Sequence, residues 1–269
     1  MGEIFDYGEL AQATVSTICN ASAWHRAVSI DLETKIEKKS DFLSGERLLG
    51  IGFARRVGGK VETKMLRLRE DTDEAEIELL DEAAKWLYNV RPLLLLGYNI
   101  SGYDYPLLAL KVKWYDDRGR AACKEGEKPV FPREYWALKD ALTRAFVLDM
   151  MHSLRYSMAR HDGNTAKYRS LAYSVAHPMF AHVPLMRRKE LADVDVNTTA
   201  NAQGKENAGE LPLASAGAAP PHKDKQMDKG KKLYEMWKTH DPNFESYLEG
   251  DVHDVLLLAE EIYGVKREK

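Results

Sequence analysis

The chain has 269 residues, a formal net charge of -3, 44% hydrophobic residues and 30% charged residues. That length holds one large domain or two small ones, the composition is ordinary for a water-soluble protein, and the charge excludes a global basic field for binding nucleic acid. Cys19 and Cys123 make neither a disulfide framework nor a zinc spacing, the N-terminus lacks a signal-peptide pattern, and Leu93–Leu96 is far too short to span a bilayer, so a cytoplasmic protein with no membrane segment is expected.

In chain order, Ala27 to Leu32 reads as a buried strand, apolar and with β-branched Val28 and Ile30. Leu48 to Val57 and Val61 to Leu68 flank Gly58-Gly59, and two glycines between strand-like runs predict a tight hairpin. Glu74 to Asn89 places Ile77, Leu80, Ala84 and Leu87 on one helical stripe. Leu93 to Gly97 is a short continuous apolar run, the pattern of a buried strand. A helix is predicted from Asp104, with Pro106 tolerated in its first turn. Phe146 to Asp149 reads as a further strand and Phe244 to Tyr263 as a strongly periodic closing helix. This order predicts an α/β fold, a mixed sheet carrying helices, in a single domain over 1–269. Asp195 to Asp228 stands apart. It is crowded with Asn, Ala, Gly, Pro, Ser and Lys, has almost no large apolar residue, and is expected to be a mobile insertion dispensable for catalysis.

Four acidic residues carry the chemistry. Asp31 and Glu33 are two apart in Val28-Ser-Ile-Asp-Leu-Glu-Thr34, so on a strand they project to one side while Leu32 faces the other. Asp104 closes Asn99-Ile-Ser-Gly-Tyr-Asp104 at a strand-to-helix corner. There it serves either as a first-turn carboxylate favoured by the helix dipole or as a metal ligand. Tyr98, Asn99 and Tyr103 beside it offer rings on which a base can stack and an amide for a nucleotide edge. Tyr247 and Asp251 are four apart on a helix and share a face, whereas His253 lies about 200° round from Asp251 and points away. Four carboxylates gathered at one point repel each other unless divalent cations neutralise them. Hard cations held by carboxylates are a standard device for cutting a phosphodiester.

In order and spacing these segments resemble the three motifs of the DnaQ-like, or DEDD, 3′→5′ exonucleases, most of all the proofreading domain of family-B DNA polymerases. The first motif of that family is matched by Asp31-Leu-Glu33-Thr34, the second by Asn99 through Tyr103-Asp104, the third by Tyr247 through Asp251. Ser246 stands where the histidine subclass would place His, so the likeness is to the tyrosine subclass. Tyr168-Arg-Ser-Leu171 resembles a segment that the family carries between its second and third motifs. The resemblance implies an RNase H-like fold and, as no palm or fingers sequence is present, a freestanding exonuclease domain acting in proofreading or repair.

It further implies two divalent cations, Mg²⁺ or Mn²⁺, roughly 4 Å apart. Asp31 would bridge them, Glu33 and Asp251 would complete the site of the ion carrying the attacking water, and Asp104 would hold the other. Tyr247 would orient the water, since a phenol with a pKa near 10 is a poor base at neutral pH. Tyr103 would stack on the terminal base and Asn99 hold the next nucleotide, with Leu32, Thr34 and Tyr98 as further substrate contacts. The implied partner is nucleic acid, single-stranded DNA or frayed 3′ ends. Lys111, Lys113, Arg187, Arg188, Lys189, Lys231 and Lys232 are candidate phosphate contacts. The alternatives are an exoribonuclease, because discrimination against a 2′-OH is not written in these motifs, a non-catalytic nucleic-acid-binding or scaffold subunit, and an RNase H-like endonuclease. The Asn99 and Tyr103 elements for a terminal nucleotide weigh against the last.

Overall fold

Every second side chain of the first strand, β1 (Ala27–Lys35), enters the same apolar layer, and this fixes the architecture. The computed structural model describes residues 21–35, 46–124, 126–128, 130–131, 133–167, 169–186 and 223–265. Before β1 stands the short helix α1 (Ala21–Trp24). β2 (Arg47–Val57) and β3 (Lys60–Arg67) form the hairpin, turning through Gly58 and Gly59 at φ +53° and +78°. A two-residue turn of this kind needs positive φ at both positions. α2 (Asp73–Val90) is capped by Thr72, whose side chain accepts the Ala75 N–H, and is followed by β4 (Leu94–Gly97) and α3 (Asp104–Ala121). Then come α4 (Arg133–Arg144), β5 (Phe146–Asp149), α5 (Met150–Asp162) and α6 (Leu171–Ala176), a 3₁₀ turn (Pro178–Phe180), α7 (Lys223–Lys238) and α8 (Asn243–Ile262).

The sheet order is β3-β2-β1-β4-β5. β3, β2 and β1 are antiparallel neighbours, whereas β1, β4 and β5 run parallel, so the sheet is mixed. Val28, Ile30 and Leu32 pack with α2, α3 and α4 through Leu80, Leu87, Leu107 and Leu138. Ala27, Leu94 and Leu96 join Leu154 of α5 and Val255 and Leu256 of α8 in the other apolar layer. The odd-numbered residues of β1, Asp31 and Glu33 among them, thus lie on the α8 side by strand alternation. This is an α/β fold with a five-stranded mixed sheet flanked by helices, as the element order predicts. Among the described residues no helix is long and apolar enough to cross a membrane.

Two expectations change. Lys223 to Asp228, placed in the mobile insertion, lie in α7, which docks through buried Leu233 and Trp237; the Trp237 Nε1–H donates to the Leu68 carbonyl at 2.7 Å. Residues 195–222 of that insertion lie outside the described residues, as do Tyr168, Arg187, Arg188 and Lys189. Lys111 is not a phosphate contact. It is buried on α3 with its Nζ 2.7 Å from Oε1 of Glu76, which is 1% exposed and also accepts the Leu48 N–H at 2.8 Å and the Arg47 guanidinium at 2.9 Å. Buried charges persist when paired and hydrogen-bonded in this way, and the group bolts α2 and α3 to β2. Lys113 pairs with Asp117 at 2.6 Å, and Lys231 and Lys232 are exposed on α7.

Candidate metal centre

Carboxylate oxygens of Asp31, Glu33 and Asp251 lie within 4.8 Å of one another. Strand alternation puts the first two on one face of β1, and α8 crosses that face and supplies the third. Glu33 and Asp251 are each 5% exposed, whereas Asp31 is half-buried and the open member of the group. Like charges at this spacing are unfavourable without a counter-charge, and hard carboxylate oxygens are the donors that Mg²⁺, Mn²⁺ or Ca²⁺ prefer. The three residues could therefore hold a metal ion, and their donor chemistry fits one.

The approach of α8 depends on two glycines. Gly52 faces Asp31 across the β1–β2 ladder. A Cβ at Gly52 would lie 2.8 Å from Leu248 Cγ and 3.0 Å from Val252 Cγ1; one at Gly50 would lie 3.1 Å from Phe244 Cε1. The helix rests on bare backbone at Phe244, Leu248 and Val252, in the two turns that lead to Asp251 and at the residue after it. Polar ties at its flanks hold its register. Thr63 Oγ1 donates to Glu249 Oε1 at 2.6 Å, and the Arg56 guanidinium grips both oxygens of buried Glu260 at 2.5 Å. A two-pronged ion pair of this kind fixes direction as well as distance.

Asp104 is beside this trio rather than within it. Its Oδ1 accepts the backbone N–H of Leu32, the residue between Asp31 and Glu33, at 3.1 Å, and it is 3% exposed. The reason lies in the ladder. β4 pairs with β1 only from Ala27↔Leu94 to Ser29↔Leu96, and the chain then turns away. Beyond that point the β1 backbone still needs partners, and Asp104 at the start of α3 supplies one. All four predicted acids thus meet at one end of β1, three converging through their oxygens and the fourth on the intervening peptide.

The other predicted residues surround this corner. Asn99 adopts φ +63°, a left-handed conformation that Asn tolerates better than most residues, and its carbonyl accepts the Gly102 and Tyr103 N–H groups. Gly102 gives the Asn99 side chain room, since a Cβ there would fall 2.5 Å from Asn99 Oδ1. Asn99 is therefore a turn-former, whatever else it binds. Asp149, at the end of β5, ties this turn down by accepting the N–H groups of Asn99, Ser101 and Met151 at 3.0–3.1 Å. The Tyr98 hydroxyl donates to the Arg169 carbonyl, and burial pushes its pKa up to about 12. Leu32 turns its side chain into the core, 4% exposed, and presents only backbone to the site.

Sequence reasoning missed Glu46. It is fully buried and accepts hydrogen bonds from Thr34 Oγ1 at 2.9 Å and from the Tyr103 hydroxyl; the two hydroxyls are 2.6 Å apart. Burial, then the adjacent Glu46 charge, raises the Tyr103 pKa far above its ordinary value, so this phenol remains protonated. Nothing in the residues around Glu46 marks it; only the fold brings it to Tyr103. Tyr103→Phe should cost about 2 kcal/mol of stability, because it takes one donor from a buried carboxylate. Urea unfolding checks this, and an unchanged midpoint would remove the bond from the account.

Tyr247 is half-buried on the same face of α8 as Asp251, packed against the core beside Phe244. His253 is half-buried with its Nδ1 3.0 Å from Oδ1 of Asp254, which is itself fully buried and accepts the Met186 N–H at 2.7 Å. That pair ties the backbone at Met186 to α8. A second group, His161, Asp162 and His177, also brings ligand atoms within 4.8 Å. There His177 Nδ1 accepts the Met179 N–H at 3.3 Å, so its proton sits on Nε2 and is donated to Asp162 at 3.1 Å. An imidazole committed in that way packs the domain and does not ligate.

No known protein family matches the chain, and no curated protein matches it. Among solved structures it is similar to the family B DNA polymerase from the hyperthermophilic archaeon Pyrobaculum calidifontis, with 16% sequence identity and a TM-score of 0.46 over 88% of this chain and 24% of that one. The chain thus spans about a quarter of that polymerase's length.

Proposed function

We propose that this protein is a metal-dependent 3′→5′ exonuclease on an RNase H-like fold, taking single-stranded or frayed DNA ends and releasing nucleoside 5′-monophosphates. The observation that carries the reading is the convergence of Asp31, Glu33 and Asp251 at the end of β1, with Asp104 on the peptide between the first two. Bound divalent cations would polarise a phosphate oxygen and lower the pKa of a coordinated water. The chain's own residues do the rest. Asp31, Glu33 and Asp251 present the oxygens for the cations, and half-buried Asp31 is the one a substrate phosphate approaches. Asp104 fixes the backbone that carries Asp31 and Glu33. Tyr247, one turn before Asp251, orients the attacking water with its hydroxyl and leaves proton removal to solvent. Thr34, Asn99 and Tyr103, placed around the same corner, would receive the terminal nucleotide, with the Tyr103 ring held in place by Glu46.

A 5′-end-labelled single strand should shorten progressively with Mg²⁺ or Mn²⁺, more slowly as a blunt duplex, and stop with EDTA. Melting a paired end is an added cost for a site that receives one strand. Cuts in circular single-stranded DNA would favour an endonuclease instead, and faster shortening of RNA an exoribonuclease.

A further inference from the structure

The opposite end of the sheet has the opposite charge. Arg26 immediately precedes β1, Leu93 precedes β4 and Arg144 nearly touches β5, so these residues mark the N-terminal ends of the three parallel strands, while the carboxylates occupy the C-terminal ends. A groove of 780 Å³ opens there. Among the described residues its cations are Arg26, Arg91, Arg133, Lys139 and Arg144, against a single lining carboxylate, Asp140. Asp140 is committed to Arg144 at 2.5 Å. Arg26 caps the Arg91 carbonyl through its Nε at 2.8 Å. Arg91 and Arg133 both lie over one ring, Tyr88, at 5.4 and 4.7 Å from its centroid. Among the described residues neither forms an ion pair with a carboxylate, and nor does Lys139.

Two guanidinium groups gathered at one ring without a carboxylate partner concentrate positive charge, an arrangement that favours an anionic ligand beside them. The groove also offers a flat apolar surface. Trp136 is 51% exposed, with Lys139 Nζ 5.6 Å from its ring centroid. Forked cations beside a half-exposed indole suit a ligand with both phosphates and unpaired bases. An acidic peptide would satisfy the cations but leave the indole unused.

We propose that this groove is a second binding site for single-stranded nucleic acid, holding the strand at the end of the sheet remote from the carboxylates. The binding follows from the groove's own residues; only its use in processing a strand rests on the nuclease reading. Fluorescence anisotropy of labelled oligo(dT) in EDTA isolates it, because cleavage is off. Arg133→Ala with Lys139→Ala should weaken binding and flatten the slope of log affinity against log salt by about 1.4, near 0.7 for each lost phosphate contact. Trp136→Ala should weaken binding about tenfold with the salt slope unchanged, as lost stacking does. All three side chains are exposed, and thermal unfolding of each variant verifies that the fold survives. Unchanged affinity in both variants would overturn the proposal. So would poly-glutamate competing as well as oligo(dT) with no loss in Trp136→Ala, which would make the groove a surface for acidic partners. The nuclease reading fails separately, by absent cleavage in Mg²⁺ or Mn²⁺ from a protein that still binds the strand here.

Discussion

Asp31→Asn should lower cation-dependent cleavage on the order of 10³-fold, about 4 kcal/mol in the barrier. The substitution keeps the shape of the side chain and removes one of three converging charges, the one most open to substrate. Asparagine is a weaker ligand for a hard cation, so the group that would hold the cations is dismantled without a packing change. Tyr247→Phe should cost much less, about tenfold or 1.4 kcal/mol, because that hydroxyl only orients a water. The metal-free protein should respond in the opposite sense. Relief of carboxylate repulsion should make Asp31→Asn more stable than the wild type by about 1 kcal/mol in EDTA. Initial rates and urea midpoints measure both effects. A Tyr247→Phe protein as inactive as Asp31→Asn would assign the phenol a direct part in proton transfer.

The second large effect is predicted at a residue with no side chain. Gly52→Val should destabilise the protein by about 3 kcal/mol and Gly52→Ala by about 1, as overpacking of a filled core does. The added carbon meets Leu248 and Val252 on the helix that carries Asp251, beside Asp31 on the neighbouring strand. Surviving Gly52→Ala protein should also hold divalent cations less tightly, because displacing α8 moves one of three ligands. Chemical denaturation and cation titration read these two consequences separately. If Gly52→Val were as stable as the wild type, α8 would not rest on this strand as described.

The parts of this arrangement that follow a period were legible in the sequence. Alternation along Val28 to Glu33 gives the two faces of β1, and the four-residue step from Tyr247 to Asp251 gives one face of α8. Gly58-Gly59 announces the hairpin because its turn needs positive φ twice. What depends on chain crossings was not legible. Glu46 meets Tyr103 across 57 positions, and Lys111 turns into a buried partner of Glu76 only once α2 and α3 lie together. Asp104 was legible as an acid at a helix start, but its bond to the Leu32 N–H depends on where the β1–β4 ladder ends. α7 escaped because its first half is almost all polar, and its docking rests on Leu233 and Trp237.

The most direct measurement is a calorimetric titration of the metal-free protein with Mn²⁺, set beside Asp31→Asn and Tyr247→Phe. The wild type and Tyr247→Phe should bind alike, and Asp31→Asn should bind at least about tenfold more weakly, a loss near 1.4 kcal/mol. Equal Mn²⁺ binding by wild type and Asp31→Asn would contradict the claim that the carboxylates converging at the end of β1 form a metal centre.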